Sequence, residues 1–223
     1  MASAPAVEVV GVGHAFEREA AGGRGGRDLV VSVGREQRGE LVARAVADGA
    51  ERWKLDFRGT LGVAPNQASA SSPVVVGDLV FVVTGHGASP RTGKVGKPEV
   101  PSFVAVDRRS GKLAWKDNSP GARILTGQWG SPAHGLVKGE PQVVFPGGDG
   151  WLYAFEPATG KPRWRFNCKA HEKTHPEGDP ETTYNLISAP VVFGDSVIVA
   201  IGEPEAGGGP GALDRKSTRL NSS

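Results

Sequence analysis

Apolar and polar positions alternate with a period of two through much of this chain. Trp151, Tyr153 and Phe155 are separated by smaller residues, the pattern of a half-buried strand. Pro157-Ala158-Thr159-Gly160 follows with turn chemistry, glycine supplying a positive φ. Arg163, Trp164, Arg165 and Phe166 then alternate again. The segment therefore predicts a β-hairpin whose return strand carries one large apolar surface, the indole of Trp164.

The same signature occurs three times. Alanine, five residues, glycine, three residues and tryptophan reads Ala43, Gly49 and Trp53, then Ala105, Gly111 and Trp115, then Ala154, Gly160 and Trp164, the tryptophans lying 62 and then 49 residues apart. Recurrence at such a period marks a repeat architecture. A second signature precedes it. Residues 72–82 read as two short strands about Gly77-Asp78, and residues 188–199 repeat them almost residue for residue about Gly194-Asp195. A two-residue loop beginning with glycine suits a type II′ turn. Ser131-Pro132 through Phe145 is a looser copy, predicted to have a longer turn. Pro73, Pro132 and Pro190, spaced by 59 and 58 residues, open these strands, where a missing N–H is tolerated.

Joined together, the two signatures make a four-stranded antiparallel unit, and its repetition predicts an all-β fold, a β-propeller of four-stranded blades. Two complete blades are predicted over 72–117 and 131–167. A degenerate blade precedes them, from Leu29 to Val33 and from Glu40 to Leu55, and half of another follows from 188 to about 202. About three and a half blades do not close a ring, so the chain is read as an incomplete propeller. Residues 1–28 form an N-terminal segment, in which 7–21 read as a strand and turn of an upstream blade and 14–28, rich in Gly, Ala, Arg and Glu, as a loop.

Ala105 to Trp115 and Ala154 to Trp164 resemble the strand-turn-strand docking motif of the pyrroloquinoline quinone (PQQ)-like repeat family of β-propellers. Phe145-Pro-Gly-Gly-Asp-Gly-Trp-Leu-Tyr-Ala-Phe155 resembles the entry to its third strand. The resemblance covers residues 29–213. It implies that Trp53, Trp115 and Trp164 wedge against adjacent blades and that Gly49, Gly111 and Gly160 form the turns. It implies a non-catalytic binding or scaffolding module with protein partners and no cofactor, in a periplasmic or other extracytoplasmic setting. The alternative is part of a quinoprotein dehydrogenase that oxidises alcohols or sugars with PQQ and calcium. Calcium requires several converging oxygen ligands. Loop candidates are Asn66, Asp149, Glu156 and Asn185, none within a motif that maps onto the family's functional positions. The adjacent cysteine pair of several quinoprotein subgroups is absent, Cys168 being the one cysteine.

Composition adds exclusions. The last ten residues, Asp214 to Ser223, break the repeat and match the translation of a common sequencing adapter. They are read as a non-native tail, and Asn221-Ser222-Ser223 is dismissed as a glycosylation acceptor. The formal charge is +2, but the tail carries three basic residues and one acidic. Without it the charges balance, and no Lys/Arg block with interleaved aromatics points to nucleic acid. A single cysteine excludes an internal disulfide. No apolar run approaches the length of a membrane span, and the N-terminus lacks a signal-peptide pattern.

Two further motifs are set aside on context. His171-Glu172-Lys173-Thr174-His175 matches H-E-x-x-H, whose zinc chemistry needs both histidines on one helical face. Pro176 turns the preceding residue away from helix, Gly178 and Pro180 follow, and Glu177 and Glu181 lie too close to act as the usual distant third ligand. A solvated loop is expected, with at most adventitious metal at His171, His175 and Asp179. Residues 7–21 have a strand-GxG-helix look around Gly11 and Gly13, but Phe16 stands where the dinucleotide fingerprint needs a small residue. No catalytic or metal residue is assigned. Trp129, outside the docking motif, is expected in inter-blade packing, with the central channel or a loop-face pocket as alternatives. The long loops at 85–102 and 167–187 occupy positions where propellers place partner sites.

Overall fold

The computed structural model describes residues 8–9, 29–33, 39–65, 71–89, 91–168, 186–200 and 217–219. Among the described residues four antiparallel sheets follow one another along the chain. The first is β2 (Leu29–Val33), β3 (Glu40–Ala45) and β4 (Glu51–Asp56). The second is β5 (Val74–Val76), β6 (Leu79–Val83), β7 (Phe103–Asp107) and β8 (Leu113–Asp117), with the short β1 (Glu8–Val9) added beside β5. The third is β9 (Ala133–Val137), β10 (Glu140–Pro146), β11 (Trp151–Phe155) and β12 (Pro162–Asn167). The fourth is β13 (Val191–Phe193), β14 (Ser196–Ala200) and β15 (Ser217–Arg219). These are the predicted blades, numbered one to four below. β15 draws three residues of the segment read as a tail into blade four.

Each predicted proline directly precedes the first strand of its blade: Pro73 before β5, Pro132 before β9 and Pro190 before β13. Gly77 and Gly194 have φ of 58° and 55°. Asp78 and Asp195 are absent from the positive-φ residues, which fits a II′ turn. One expectation is corrected. The third copy has no longer turn: Val137 pairs with Glu140 across Lys138-Gly139 alone. Both turn residues have positive φ, 52° and 77°, the geometry of a type I′ turn. The extra length lies in β10, which runs seven residues. A five-residue helix, α1 (Phe57–Leu61), was not predicted. Asp56 caps it by accepting from the Arg58 N–H, Gly62 ends it at φ 70°, and Phe57 is fully buried.

The cores lie between blades, and strand alternation decides which residue serves which core. Val80, Val82, Val104 and Val106 face blade one, joining Val31, Leu41, Ala43, Trp53, Leu55 and Phe57. The intervening Phe81, Val83, Phe103 and Ala105 face blade three and meet Val143, Phe145, Tyr153 and Phe155. Blade three repeats the rule, turning Val144, Leu152 and Ala154 toward Leu186, Val197 and Val199. The first interface is mostly aliphatic. The second is aromatic, with Phe103 stacked on Phe145 at 4.6 Å between ring centroids.

The recurring motif makes the first two of these joints. Ala43, Ala105 and Ala154 sit directly across from Trp53, Trp115 and Trp164, and a bulge follows each alanine. Gly49, Gly111 and Gly160 all have φ of 71°, a conformation that an L side chain enters at a cost of roughly 1–2 kcal/mol. The Trp53 indole N–H donates to the Arg108 carbonyl at 2.6 Å, and that of Trp115 donates to the Pro157 carbonyl at 2.8 Å. Arg108 and Pro157 stand at the same motif position in the receiving blade, three residues after its alanine. The indole also lies on that blade's glycine. A Cβ on Gly111 would come within 2.8 Å of Trp53, and one on Gly160 within 2.6 Å of Trp115. The motif is thus a plug and a socket in one hairpin.

Gly49 shares the φ of the other two but has nothing within 4 Å of a built Cβ. It is an internal control. Gly49→Ala should carry only the backbone cost, about 1–2 kcal/mol. Gly160→Ala should cost a further 1–3 kcal/mol or so by overpacking against Trp115. Urea unfolding midpoints of the two variants measure the difference, and equal losses contradict the socket.

Candidate functional site

Because the strands of a blade alternate in direction, connections leaving the second and fourth strands emerge at one end. The links 84–102, 118–132 and 147–150 therefore share a face, and the two-residue hairpins and motif turns occupy the opposite one. The loop at 85–102 singled out in the sequence falls on this shared face, and most of the loop at 167–187 lies outside the described residues. Within that face, two groups of polar side chains, buried except for Arg123, join neighbouring connections.

The first group is built on Asp149, in the tight turn between β10 and β11. Its side chain is 1% exposed. The Tyr153 hydroxyl donates to Asp149 Oδ2 at 2.6 Å, Arg123 Nε donates to the same oxygen at 3.2 Å, and the Trp151 N–H donates to Oδ1 at 3.3 Å. Arg123 Nη2 also donates to the Tyr153 hydroxyl at 3.1 Å and to the Ser119 carbonyl. Arg123 ends a single 3-10 turn, Gly121–Arg123, in the link between blades two and three. The same link donates from the Leu125 N–H to the Gly148 carbonyl at 2.9 Å. Gly148 has no room for a side chain, since a Cβ would stand 2.3 Å from the Gly127 carbonyl oxygen. The Tyr153 ring is seated in the aromatic inter-blade core, 5.6 Å from Phe103. The polar brace and the core therefore share one residue.

The second group centres on His86, 3% exposed, and Gln128, 2% exposed. Gln128 Nε2 lies 3.3 Å from His86 Nδ1 and donates to the His86 carbonyl at 3.1 Å and to Ser102 Oγ at 3.3 Å. Among the described residues His86 Nε2 and Gln128 Oε1 have no hydrogen-bond partner. A β-bridge from His86 to Pro65 and a hydrogen bond from the Ala88 N–H to the Thr126 carbonyl, 2.9 Å, tie the same loop to both flanking links.

Chemically, these groups are held in their resting protonation states. Burial lowers the His86 pKa from 6.5 to about 4, against a smaller opposing effect of Glu99. Burial, followed by the bond to Asp149, raises that of the Tyr153 hydroxyl. The hydrogen bond to Tyr153 is the largest cause raising that of Arg123. Burial pushes the Cys168 thiol up to about 12, so it is no nucleophile at neutral pH.

Of the four calcium candidates, Asn66 and Asn185 lie outside the described residues. Asp149 and Glu156 flank opposite ends of β11, whose five residues span about 17 Å. Asp149 is committed to Arg123 and Tyr153. Glu156 accepts from Thr159 Oγ1 at 2.8 Å and pairs with Arg163 at 3.4 Å within its own turn. These two carboxylates cannot converge on one ion. Among the described residues no group of three or more His, Cys, Asp or Glu side chains could hold a metal ion. His171, Glu172, His175, Glu177, Asp179 and Glu181 lie outside them, as do Gly11, Gly13 and Phe16. Trp129 is half-buried with its ring folded back over Gly127 in its own link, where a Cβ would lie 2.7 Å from the indole. No local signal announced His86, Gln128 and Arg123, because their partners lie 26 to 42 residues away.

A family model described as outer membrane protein assembly factor BamB matches residues 11–218. In structure the chain is similar to BamB from Moraxella catarrhalis, at 21% identity and a TM-score of 0.50, over 78% of this chain and 44% of that one. It is also similar to a quinohemoprotein alcohol dehydrogenase from Pseudomonas putida HK5, at 21% identity and a TM-score of 0.43 over 63% of this chain and 19% of that one. A third is quinohemoprotein alcohol dehydrogenase from Comamonas testosteroni, at 17% identity and a TM-score of 0.38, again over 63% and 19%. The chain thus spans less than half the length of each of these structures. No curated protein matches the sequence.

The His86 shift sets a pH dependence. With a folded pKa of about 4 against 6.5 unfolded, the unfolded chain binds the extra proton, so this contribution to stability is complete above pH 6.5 and is lost on acidification toward pH 4. Between pH 7 and 4.5 the loss attributable to His86 is about 2–3 kcal/mol. Urea unfolding of the wild type and of His86→Phe at both pH values measures it. The variant should lose less on acidification by that amount, and parallel losses contradict the assignment.

Proposed function

The chain belongs to the PQQ-like repeat family of β-propellers, and on that premise we propose that it is a non-catalytic binding module whose loop face engages protein partners in the periplasm. The observation that carries this reading is the use made of the polar groups on that face. Asp149, Arg123, Tyr153, His86 and Gln128 bond one connection to the next. Asp149 and Glu156, which a calcium-dependent dehydrogenase could have used, are spent at opposite ends of one strand. Such bracing holds loops in a fixed relative arrangement, which lowers the ordering cost of forming an interface. Protein–protein contact is also the role in keeping with an assembly factor of the outer membrane, the description its family model carries. Among the described residues no helix is long and apolar enough to cross a membrane.

A photo-crosslinking residue placed at Arg91, exposed on the 84–102 loop, or at Lys161, exposed on the opposite face, tests the assignment in a bacterial periplasm. Discrete protein adducts are expected from position 91 and none from 161. Calorimetric titration of the purified chain with PQQ and calcium should show no saturable binding. Stoichiometric PQQ binding accompanied by dye-linked alcohol oxidation would overturn the proposal in favour of the dehydrogenase.

A further inference from the structure

The 84–102 link folds back on itself as a small hairpin. Ala88 and Val95 form an antiparallel bridge. The Ser89 N–H donates to the Lys94 carbonyl at 2.9 Å, and the Gly93 N–H donates to the Ser89 carbonyl at 2.8 Å. Side chains shape the tip as well: Ser89 Oγ accepts from the Arg91 N–H and Thr92 Oγ1 from the Lys94 N–H, both at 3.3 Å. Each leg is tied to the neighbouring link. The Ala88 N–H donates to the Thr126 carbonyl at 2.9 Å, and Asn118 Nδ2 donates to the Pro98 carbonyl at 3.3 Å. The hairpin is therefore fixed at its base and set at its tip. Its outer surface is basic. Arg91, Lys94 and Lys97 are exposed, and Glu99 is the one acidic residue between 84 and 102. Among the described residues none of these three cations joins an ion pair, whereas Arg44, Lys54, Arg109 and Arg163 on the blades all do.

We propose that this hairpin is the docking element for an acidic segment of a protein partner, with Arg91, Lys94 and Lys97 as its cationic contacts. The inference rests on the binding-module reading above and names the chemistry of the partner. Charge complementarity identifies the occupant. Three like charges on one small hairpin repel one another and support no blade. A run of carboxylates relieves that repulsion and accepts charge-assisted hydrogen bonds from the two ammonium groups and the guanidinium. Complementary charge also steers the encounter, so the hairpin acts chiefly on the rate of association. A bilayer is a poorer match. The exposed large apolar side chains among the described residues include none between 84 and 102, so nothing on the hairpin enters the lipid interface, and a few cations alone hold a membrane weakly. The segment carries no aromatic residue on which a nucleobase could stack.

The probe is a fluorescein-labelled peptide of alternating glutamate and serine, titrated into the full chain and followed by fluorescence anisotropy. Saturable binding is expected at about 0.05 M salt, weakening at least about tenfold at about 0.5 M as the charges are screened. Lys94→Glu/Lys97→Glu should weaken it at least about tenfold. Lys112→Glu/Lys161→Glu, the same change of charge at exposed positions on the opposite face, should leave it within about twofold. Absence of saturable binding overturns the proposal. So does equal weakening in the two double variants, which marks attraction to the chain's overall charge. Co-sedimentation with vesicles of phosphatidylglycerol and phosphatidylethanolamine that depends on Lys94 and Lys97 overturns it in favour of a membrane surface. A photo-crosslinking residue at Gly96, where a Cβ meets nothing within 4 Å, separates this proposal from the reading beneath it. Protein adducts formed in the periplasm should disappear with Lys94→Glu/Lys97→Glu. Adducts that persist in that variant leave the binding module standing and overturn the acidic partner, and absence of adducts from the chain with both lysines intact overturns both.

Discussion

A tryptophan ring laid on a glycine of the following blade is the contact on which the rest of this structure depends. A twisted antiparallel sheet of three to five short strands has two faces, and neither is stable while exposed. Stacking blades buries both faces, but only if the spacing and rotation between neighbours are fixed. Valine against valine sets a distance loosely. The indole sets it tightly, because its N–H must reach one carbonyl while its ring needs a surface without a Cβ. Burying a group of that size contributes substantially to the interface, and the hydrogen bond adds about 1 kcal/mol. Its larger effect is to leave one geometry open to the joint.

Once the joints are fixed, the loop face follows. The three connections described there gather at one end because strands alternate in direction, and their polar groups meet because the blades beneath are locked. Tyr153 makes the dependence explicit. Its ring belongs to the aromatic core between blades two and three, and its hydroxyl completes the bond to Asp149 that holds Arg123. Repacking that core would move a polar brace on the surface above it. The functional reading and the fold therefore rest on the same interface.

The joints were legible in the sequence because everything that specifies them is local. Alanine, glycine and tryptophan fall within eleven residues, and each copy makes the same turn. The paired prolines and Gly-Asp turns were legible for the same reason. Features requiring distant partners were not. Gln128 and His86 are ordinary residues until the fold brings their loops together. The five residues of α1 are too few for a helical period, and only its caps at Asp56 and Gly62 define it. The turn of the third hairpin is hard to read because Lys138 adopts a positive φ without being glycine, leaving Gly139 as the one local signal for a two-residue turn. The carboxylates Asp149 and Glu156 looked equivalent as loop acids, and only the strand between them shows that they serve different ends of the blade.

The account stands or falls on whether Trp115 and Gly160 act as one unit. A double-mutant cycle with Trp115→Leu and Gly160→Ala, read by urea unfolding, measures this directly. The cost of Gly160→Ala should shrink by about 1 kcal/mol or more once the indole is gone, because the added methyl then has space. Costs that add within about 0.5 kcal/mol would show that the ring and the glycine are independent, and that the blades are held in place by something else.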